Sequence, residues 1–227
     1  MSQLATLGIA ASGGGAAPAG AIIQAIAHKV ISSQVNVTSL TWGSVTLPAG
    51  DYILAVYIDG SDLDFPTGMT VDGNACGEGR AGASGNLLIT TWDISLGGAI
   101  SAADVIATGL SGTNDMTTCV VDIYEVVGGV TTWGDDNVNS ANFTTTVATT
   151  VDFTAGQTGV VFGLRGGSGG FTFTGLDDEK VTDDSEGGLY FGFSYKEGLA
   201  TETARAIDWT CGTSETRNLI VSLAFTP

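Results

Sequence analysis

Apolar and polar residues alternate with a period of two along several short stretches of the chain. From 219 to 225, Leu, Val, Leu and Phe alternate with Ile, Ser and Ala, and from 189 to 195 a Leu, two Phe and a Tyr share one parity. Cys119, Val121 and Ile123 likewise alternate with Asp122 and Tyr124. Because successive side chains of a strand point to opposite faces, these stretches predict β-strands.

One stretch, 52–58, is apolar at every position and reads Tyr-Ile-Leu-Ala-Val-Tyr-Ile. A strand that is apolar on both faces is typical of the centre of a sheet, so this stretch predicts a central strand. It follows Pro48-Ala49-Gly50-Asp51, a turn signal. Further strands are expected at 22–30, 87–92, 159–164 and 171–173.

Clusters of Gly, Asn, Asp, Ser and Thr separate these stretches, and we expect roughly a dozen short strands. The pattern predicts an all-β protein, an antiparallel, jelly-roll-like β-sandwich with a flexible N-terminal arm. A short helical turn is the alternative for 100–107. The Gly-rich run 163–170 leads into a strand rather than a helix, so we interpret it as a flexible hairpin loop and not as a phosphate loop.

The domain organisation follows from composition. Residues 1–20 contain a Gly-, Ala- and Ser-rich run and form the expected arm, either a disordered tail or a segment that orders against a neighbouring subunit. Residues 21–227 form the expected sandwich domain, and a division into two domains would fall near 128–129. The two halves do not align visibly, and no repeat of 20–50 residues is present, so neither a propeller nor a solenoid is expected.

Charge limits the partners. The chain has 24 Asp and Glu against seven Lys and Arg, a formal net charge of -17. Nucleic acids and anionic membranes are polyanions, so we expect the protein to bind neither. No apolar stretch reaches the roughly 18–20 residues of a membrane-spanning helix. The first cationic side chain is Lys29, so the beginning of the chain lacks the basic region of a signal peptide.

The three cysteines, Cys76, Cys119 and Cys211, are widely spaced and match neither a disulfide framework nor a zinc site. Cys119 is expected to be a buried thiol, and Cys76 is expected in a loop. A Cys76–Cys211 disulfide is the alternative. This usage favours folding in a reducing compartment.

The residues offer no catalytic machinery. His28 is the single histidine and lies in an Ala-rich apolar stretch, and the common hydrolase and phosphate-binding motifs are absent. Two carboxylates across an aromatic-lined cleft would suit a glycosidase. However, the four tryptophans lie in or beside strand-like stretches, where core or sheet-surface positions are expected: Trp42, Trp92, Trp133 and Trp209.

Two acidic clusters are candidate calcium sites. Calcium takes six to eight oxygen ligands, which closely spaced carboxylates on a turn can supply. Neither cluster matches an EF-hand loop, and the alternative for both is a solvated acidic loop. The candidate ligands are Asp59, Asp62 and Asp64 in the first cluster and Asp177, Asp178, Asp183 and Asp184 in the second. No other cofactor is expected.

Two stretches carry a family resemblance. The entry into the central strand, Val45-Thr46-Leu47-Pro48-Ala49-Gly50-Asp51-Tyr52, and the following Pro66-Thr67-Gly68-Met69-Thr70-Val71-Asp72-Gly73-Asn74 resemble parts of Gly-, Ala- and Thr-rich β-sandwich virion proteins of tailed bacteriophages and phage-like particles. The resemblance covers residues 21 to 130 and transfers no catalytic residues.

The resemblance implies a non-enzymatic virion surface protein, a capsid decoration protein or a tail or fibre accessory subunit. Such a protein assembles in the bacterial host cytoplasm, becomes part of the virion, and is anchored to other virion proteins, here through residues 1–20. A symmetric homo-oligomer is expected, with three-fold symmetry as the preferred form. The alternative is a carbohydrate-binding or adhesive module that stacks host surface glycans on Trp42 or Trp133. A glycosidase or lyase is the third hypothesis.

Overall fold

The computed structural model describes residues 22–61, 63, 65–167, 170–176, 179–215 and 217–227. The expected N-terminal arm, 1–20, lies outside the described residues. The described chain is all-β and antiparallel and contains no helix, which confirms the predicted fold class. It has seventeen strands, more than the sequence suggested, because several breaks in alternation separate short strands.

The strands of residues 22–127 form two sheets. An inner sheet has the order β1-β9-β3-β7-β6, and an outer sheet has the order β2-β8-β4-β5. The bounds are β1 Ile22–Val35, β2 Ser39–Leu47, β3 Gly50–Ser61, β4 Gly68–Val71, β5 Asn74–Ala75, β6 Gly77–Ser84, β7 Leu87–Leu96, β8 Ile100–Thr108 and β9 Asp115–Val127.

The strands of residues 132–226 form a second pair of sheets. The inner sheet has the order β10-β17-β12-β15-β14 and the outer sheet the order β11-β16-β13. The bounds are β10 Thr132–Ala141, β11 Thr144–Phe153, β12 Thr158–Gly166, β13 Thr172–Thr174, β14 Glu179–Glu186, β15 Leu189–Lys196, β16 Glu202–Glu215 and β17 Asn218–Thr226.

The two halves share one topology. If β5 and β6 are counted as one strand that crosses between sheets, each half has eight strands, and in both the inner order is first, eighth, third, sixth, fifth. The outer order begins second, seventh, fourth in both. This is the connectivity of a jelly roll, and we call the halves the first and second jelly rolls. The change of sheets falls between Val127 and Thr132, which includes Gly128-Gly129.

The expectation that the halves do not align is therefore corrected at the level of topology. A short stretch aligns as well: Val45-Thr46-Leu47-Pro48-Ala49-Gly50 matches Val151-Asp152-Phe153-Thr154-Ala155-Gly156 at three of six positions. The repeat is not visible in the sequence because many different apolar sequences can form the same arrangement of paired strands.

The four sheets stack into four layers with three cores. One core lies between the sheets of the first jelly roll and another between those of the second. The third core fills the junction, the space between the two inner sheets, with Tyr57, Tyr124, Phe162, Phe193 and Phe225 among its members. Both faces of the inner sheets are therefore buried, which explains why 52–58 is apolar throughout. Its prediction as a central strand is confirmed, with β3 between β9 and β7.

The junction has approximate two-fold symmetry. Edge strand β1 packs against β14, and edge strand β10 packs against β6. Since β10 is the counterpart of β1 and β14 the counterpart of β6, the two contacts are equivalent with the halves exchanged. The chain therefore resembles an isologous dimer whose two subunits are covalently joined.

Two predictions of local structure were wrong. Residues 100–107 form strand β8, paired with β2 and β4, because Ala103, Val105 and Ala107 alternate toward the core. Small alanines spaced three to four apart imitated a helical period. Gly163 and Gly166 belong to strand β12 rather than to a loop. Two-residue turns do occur where glycine predicts them, at Asp72-Gly73 and Gly187-Gly188, all four residues with φ between 52° and 86°.

Candidate functional site

Of the three calcium candidates in the first acidic cluster, Asp59 is the one that lies among the described residues. It lies on β3, is 9% exposed, and accepts hydrogen bonds from the Arg217 guanidinium, one of them 3.4 Å from Nη2 to Oδ2. Arg217 directly precedes β17, so this ion pair ties the first jelly roll to the second. The carboxylate therefore has a structural partner whether or not calcium binds.

The other calcium candidates are described only in part. Asp62, Asp64, Asp177 and Asp178 lie outside the described residues. Asp183 and Asp184 lie on the backbone of β14, opposite Gly192 and Phe191, and their side chains are outside the description. Within the described part of the chain, no three His, Cys, Asp or Glu side chains cluster closely enough to hold a metal. Calcium binding stays a prediction.

A polar network begins at His28 on β1, whose side chain is 36% exposed, and continues into buried groups of the junction. Nδ1 of His28 is 2.7 Å from Oδ1 of Asp122, a carboxylate that is 2% exposed and lies on β9. The Tyr124 hydroxyl donates to the other oxygen of Asp122 at 3.1 Å and lies 3.5 Å from the Tyr57 hydroxyl. Nε2 of His28 lies 3.8 Å from Oε1 of Glu186 at the end of β14.

This network joins the jelly rolls. The His28 and Tyr57 rings both stack on Phe191 of β15, with centroids 5.7 Å and 4.9 Å away. Burial raises the pKa of the Tyr57 hydroxyl well above its ordinary value, the Asp122 carboxylate adds to the rise, and the hydrogen bond with Tyr124 opposes it. Sequence analysis missed the network because its members are far apart in the chain, His28 and Asp122 by 94 residues, or lie in apolar stretches. The alternation placed Asp122 and Tyr124 on one face but named no partner.

Of the two tryptophans proposed as sugar platforms, Trp42 is too buried to stack on a sugar, whereas Trp133 is partly exposed. Trp42 is 1% exposed and donates from Nε1 to the Cys119 carbonyl. Trp133 is half-buried, packs edge-on against Phe225, and donates to Asp93 at 2.8 Å. Trp92 and Trp209 are buried in the cores. Three of the tryptophans therefore occupy core positions, and Trp133 lies partly buried against the junction core, where core or sheet-surface positions were expected. The platform hypothesis is wrong for Trp42.

All three cysteines are free thiols, so the alternative Cys76–Cys211 disulfide is wrong. Cys119 is buried as predicted, and burial raises its pKa to about 12. Cys76 lies between β5 and β6 and is half-buried, and burial followed by the charge of Asp93 raises its pKa to about 12.

An open groove of about 420 Å³ follows the seam between β10 and β11, and the described residues that line it are uncharged. Four of them are polar, Asn137, Asn139, Thr149 and Thr150, and three are apolar, Val138, Ala148 and Ala206. The Asn137 side chain donates to the Thr150 carbonyl at 3.0 Å, and the Asn139 side chain donates to the Ala148 carbonyl at 2.6 Å. Each side-chain oxygen also accepts from the next backbone N–H at 2.8 Å. These amides therefore replace a backbone ladder between two strands that belong to different sheets.

Phe143 projects from the turn at the end of the same seam. It is 77% exposed and has a φ of 54°. A bulky residue rarely adopts this left-handed conformation, because its Cβ crowds the backbone. Sequence analysis did not single out Phe143, since an isolated aromatic beside Ala141-Asn142 gives no periodic signal.

Within the described part of the chain, no helix is long and apolar enough to cross a membrane. No protein-family model matches the chain, and no curated protein matches it either.

Proposed function

We propose that the protein is a non-enzymatic structural subunit of a phage virion surface, a capsid decoration protein or a tail or fibre accessory subunit, anchored through residues 1–20. The observation that supports this is the four-layer stack. Three consecutive cores in 227 residues give a thick, rigid body, which suits a display platform.

The buried polar groups also serve rigidity. The indoles of Trp42 and Trp209 each donate to a backbone carbonyl on the facing inner sheet. Asn114 holds the β1–β2 turn by accepting from the Val37 N–H and donating to its carbonyl. Asp122 and Asp59 each connect two elements or two jelly rolls. Satisfied buried networks of this kind fix one conformation.

Strand β1 supports the homo-oligomer that this proposal includes. Its one neighbour among the described strands is β9, so its other edge presents open backbone groups. Three of its apolar side chains are exposed, Ile26, Val30 and Val35. Lys29 is its single charged residue, whereas the edge strands β10 and β14 of the other inner sheet carry several carboxylates. Two copies of a chain with net charge -17 therefore meet along β1 with least repulsion.

Particle association tests the proposal directly. Particles are purified on a density gradient from cells that carry the gene, and the protein is sought in them by mass spectrometry. We expect it in the particle fraction at a fixed ratio to other virion proteins. We also expect a chain lacking residues 1–20 to fold but to stay out of that fraction. Absence of the full-length protein from particles contradicts the proposal, and retention of the truncated chain contradicts the arm as anchor.

Mass in solution, measured by light scattering with and without calcium, tests the oligomer. An edge that pairs with itself forms a two-fold contact, so a dimer or its multiple is expected if β1 is used; a trimer requires a different surface. Val30→Lys should dissociate the oligomer, and Phe65→Lys, which changes another exposed apolar residue, should not. A monomer at all concentrations contradicts an oligomer that forms independently of the particle.

A further inference from the structure

The turn that contains Phe143 can be compared with the corresponding turn of the first jelly roll. Each first-to-second strand turn contains one left-handed residue, Asn36 with φ 53° in the β1–β2 turn and Phe143 with φ 54° in the β10–β11 turn. Asn adopts this conformation at little steric cost, whereas Phe adopts it only with strain. The second jelly roll thus keeps an exposed aromatic ring at a position where a polar residue would be less strained. Strain retained at an exposed site is a sign of function.

The place of the groove can likewise be compared with the equivalent place in the first jelly roll. Trp42 lies opposite Val105, and Thr149 lies opposite Ile207. Val105 comes three residues after the left-handed Ala102, and Ile207 comes three residues after the left-handed Ala204. Val105 and Ile207 are therefore equivalent, and so are the residues that pair with them, Trp42 and Thr149. The first jelly roll fills this place with an indole that is 1% exposed. The second places a threonine there, and the groove runs beside it.

Thr149 is itself unsatisfied. It is 8% exposed, lines the groove, and its hydroxyl has no hydrogen-bond partner among the described residues. A buried hydroxyl without a partner costs free energy. The Thr149 hydroxyl oxygen is itself buried, so a ligand in the groove gains this hydrogen bond when the side chain rotates about its Cα–Cβ bond. Asn137 and Asn139 each use one of their two side-chain N–H groups on β11, which leaves the second N–H of each fixed amide for a ligand.

We propose that the groove and Phe143 together bind a neutral oligosaccharide. The ring would stack on the apolar face of a sugar, while the amides and hydroxyls of the groove bind sugar hydroxyls. Asn139 and Phe143 are four residues apart, which places them within ~13 Å along the chain. An extended glycan lying on the seam therefore reaches both.

The lining favours a sugar over the other classes of ligand. Among the described residues that line the groove none is charged, so neither an anionic nor a cationic group finds a partner there. An extended peptide binds a sheet by pairing with an open backbone edge. At this seam the carbonyls of Ala148 and Thr150 already accept from the two asparagines. This site is separate from the proposed anchor at residues 1–20 and does not depend on where the protein assembles.

The test is a printed array of neutral, sialylated and sulfated glycans probed with the fluorescently labelled full-length protein. The best neutral glycan is then titrated by calorimetry. We expect binding to neutral glycans, and we expect Phe143→Asn to weaken the titrated affinity at least tenfold while the melting temperature stays the same or rises. Phe65→Asn removes another exposed ring and should leave affinity unchanged.

A second variant separates the groove from the ring. Thr149→Val keeps the shape and removes the hydroxyl, so it should also weaken binding without lowering the melting temperature. Binding to no glycan, binding to anionic glycans alone, or full affinity in Phe143→Asn overturns the proposal. Particle association is measured independently, so either hypothesis can fail without the other.

Discussion

The two jelly rolls have equivalent cores, but in each the large side chains come from a different sheet. In the first, the central inner strand supplies large aliphatic side chains, Leu54, Val56 and Ile58. In the second, the corresponding strand supplies Gly159, Val161 and Gly163. The volume comes instead from aromatic residues of the outer layer, Phe153, Phe171, Phe173 and Trp209.

Both arrangements reach a close-packed core, because packing depends on total volume rather than on which sheet provides it. A Cβ added to Gly159 would lie 2.6 Å from Cδ2 of Leu176 and 2.9 Å from Cε1 of Phe153. One added to Gly163 would lie 3.1 Å from Phe171 and 3.2 Å from Trp209. Leu176 and Phe153 therefore leave no room for a side chain at Gly159, and Phe171 and Trp209 leave little room at Gly163.

The largest loss of stability is expected at Trp209. Its counterpart in the first jelly roll is the much smaller Ala107: Ala107 pairs with Met69, and Trp209 pairs with Phe173. Trp209→Ala should lower the free energy of unfolding by about 3–5 kcal/mol, because Gly163 cannot fill the cavity. Urea denaturation followed by circular dichroism measures this. Thr210→Ala, on the other face, should cost less than about 0.5 kcal/mol. A loss below about 1 kcal/mol for Trp209→Ala would show that the core collapses around the change.

Gly159→Val should cost about 1–3 kcal/mol by overpacking the second core. Leu54, on the equivalent face of the first jelly roll, shows that a large side chain is accepted where the facing layer leaves room. The control is Gly98→Ala, since a Cβ at Gly98 meets no atom within 4 Å. Equal stability of the two variants in urea would contradict the role assigned to the aromatic layer.

The junction predicts a pH dependence on the alkaline side. The pKa of Tyr57 is raised, so the folded protein holds this proton where the unfolded chain releases it. Its contribution to stability is complete below pH 10, the ordinary value, and is lost as pH rises above it, by at most about 1.4 kcal/mol per pH unit. Cys119, with a pKa of about 12 against an ordinary 9.0, acts in the same direction from pH 9.

Tyr57→Phe tests the tyrosine part of this dependence. Between pH 10 and 11, the free energy of unfolding should decrease less steeply with pH in the variant than in the original chain. Urea denaturation at a series of pH values measures this. Tyr190, on the β15 face away from the junction, offers the matched Tyr→Phe control. Identical slopes for the original chain and Tyr57→Phe would refute the assignment.

The smallest effect concerns the left-handed turn residues. Phe143→Asn should raise the free energy of unfolding by about 0.5–1 kcal/mol, and Asn36→Phe should lower it by at least as much. Melting temperatures of the two variants measure both changes. A loss of stability in Phe143→Asn would mean that the ring packs on the fold rather than projecting from it.

Strand positions were largely predictable, and their partners were not. The faces of 189–195 and 219–225 followed from alternation, and all four apolar residues of each lie in the junction core as a set. Alternation failed at 100–107, where alanines satisfy both a helical and a strand period. It also could not distinguish Gly163, a core position of β12, from the loop glycines that follow it.

The candidate sites were less predictable than the strands. Asp59 stood out as part of an acidic run, but its partner Arg217 is 158 residues away. The Asn137 and Asn139 ladder and the exposure of Phe143 depend on how β10 and β11 separate into different sheets. No spacing rule expresses that separation, because the two strands are consecutive and would ordinarily pair.

The sequence by itself determined that this chain forms antiparallel strands, which residues share a face, and that its surface is strongly acidic, because alternation, turn chemistry and charge are local properties. Tertiary structure decided that two jelly rolls stack into four layers, that His28 meets Asp122 across 94 residues, and that Trp42 and Thr149 share one position. The physical reason is that an apolar strand face specifies burial without specifying its partner. The partner is chosen by the packing of whole sheets against one another.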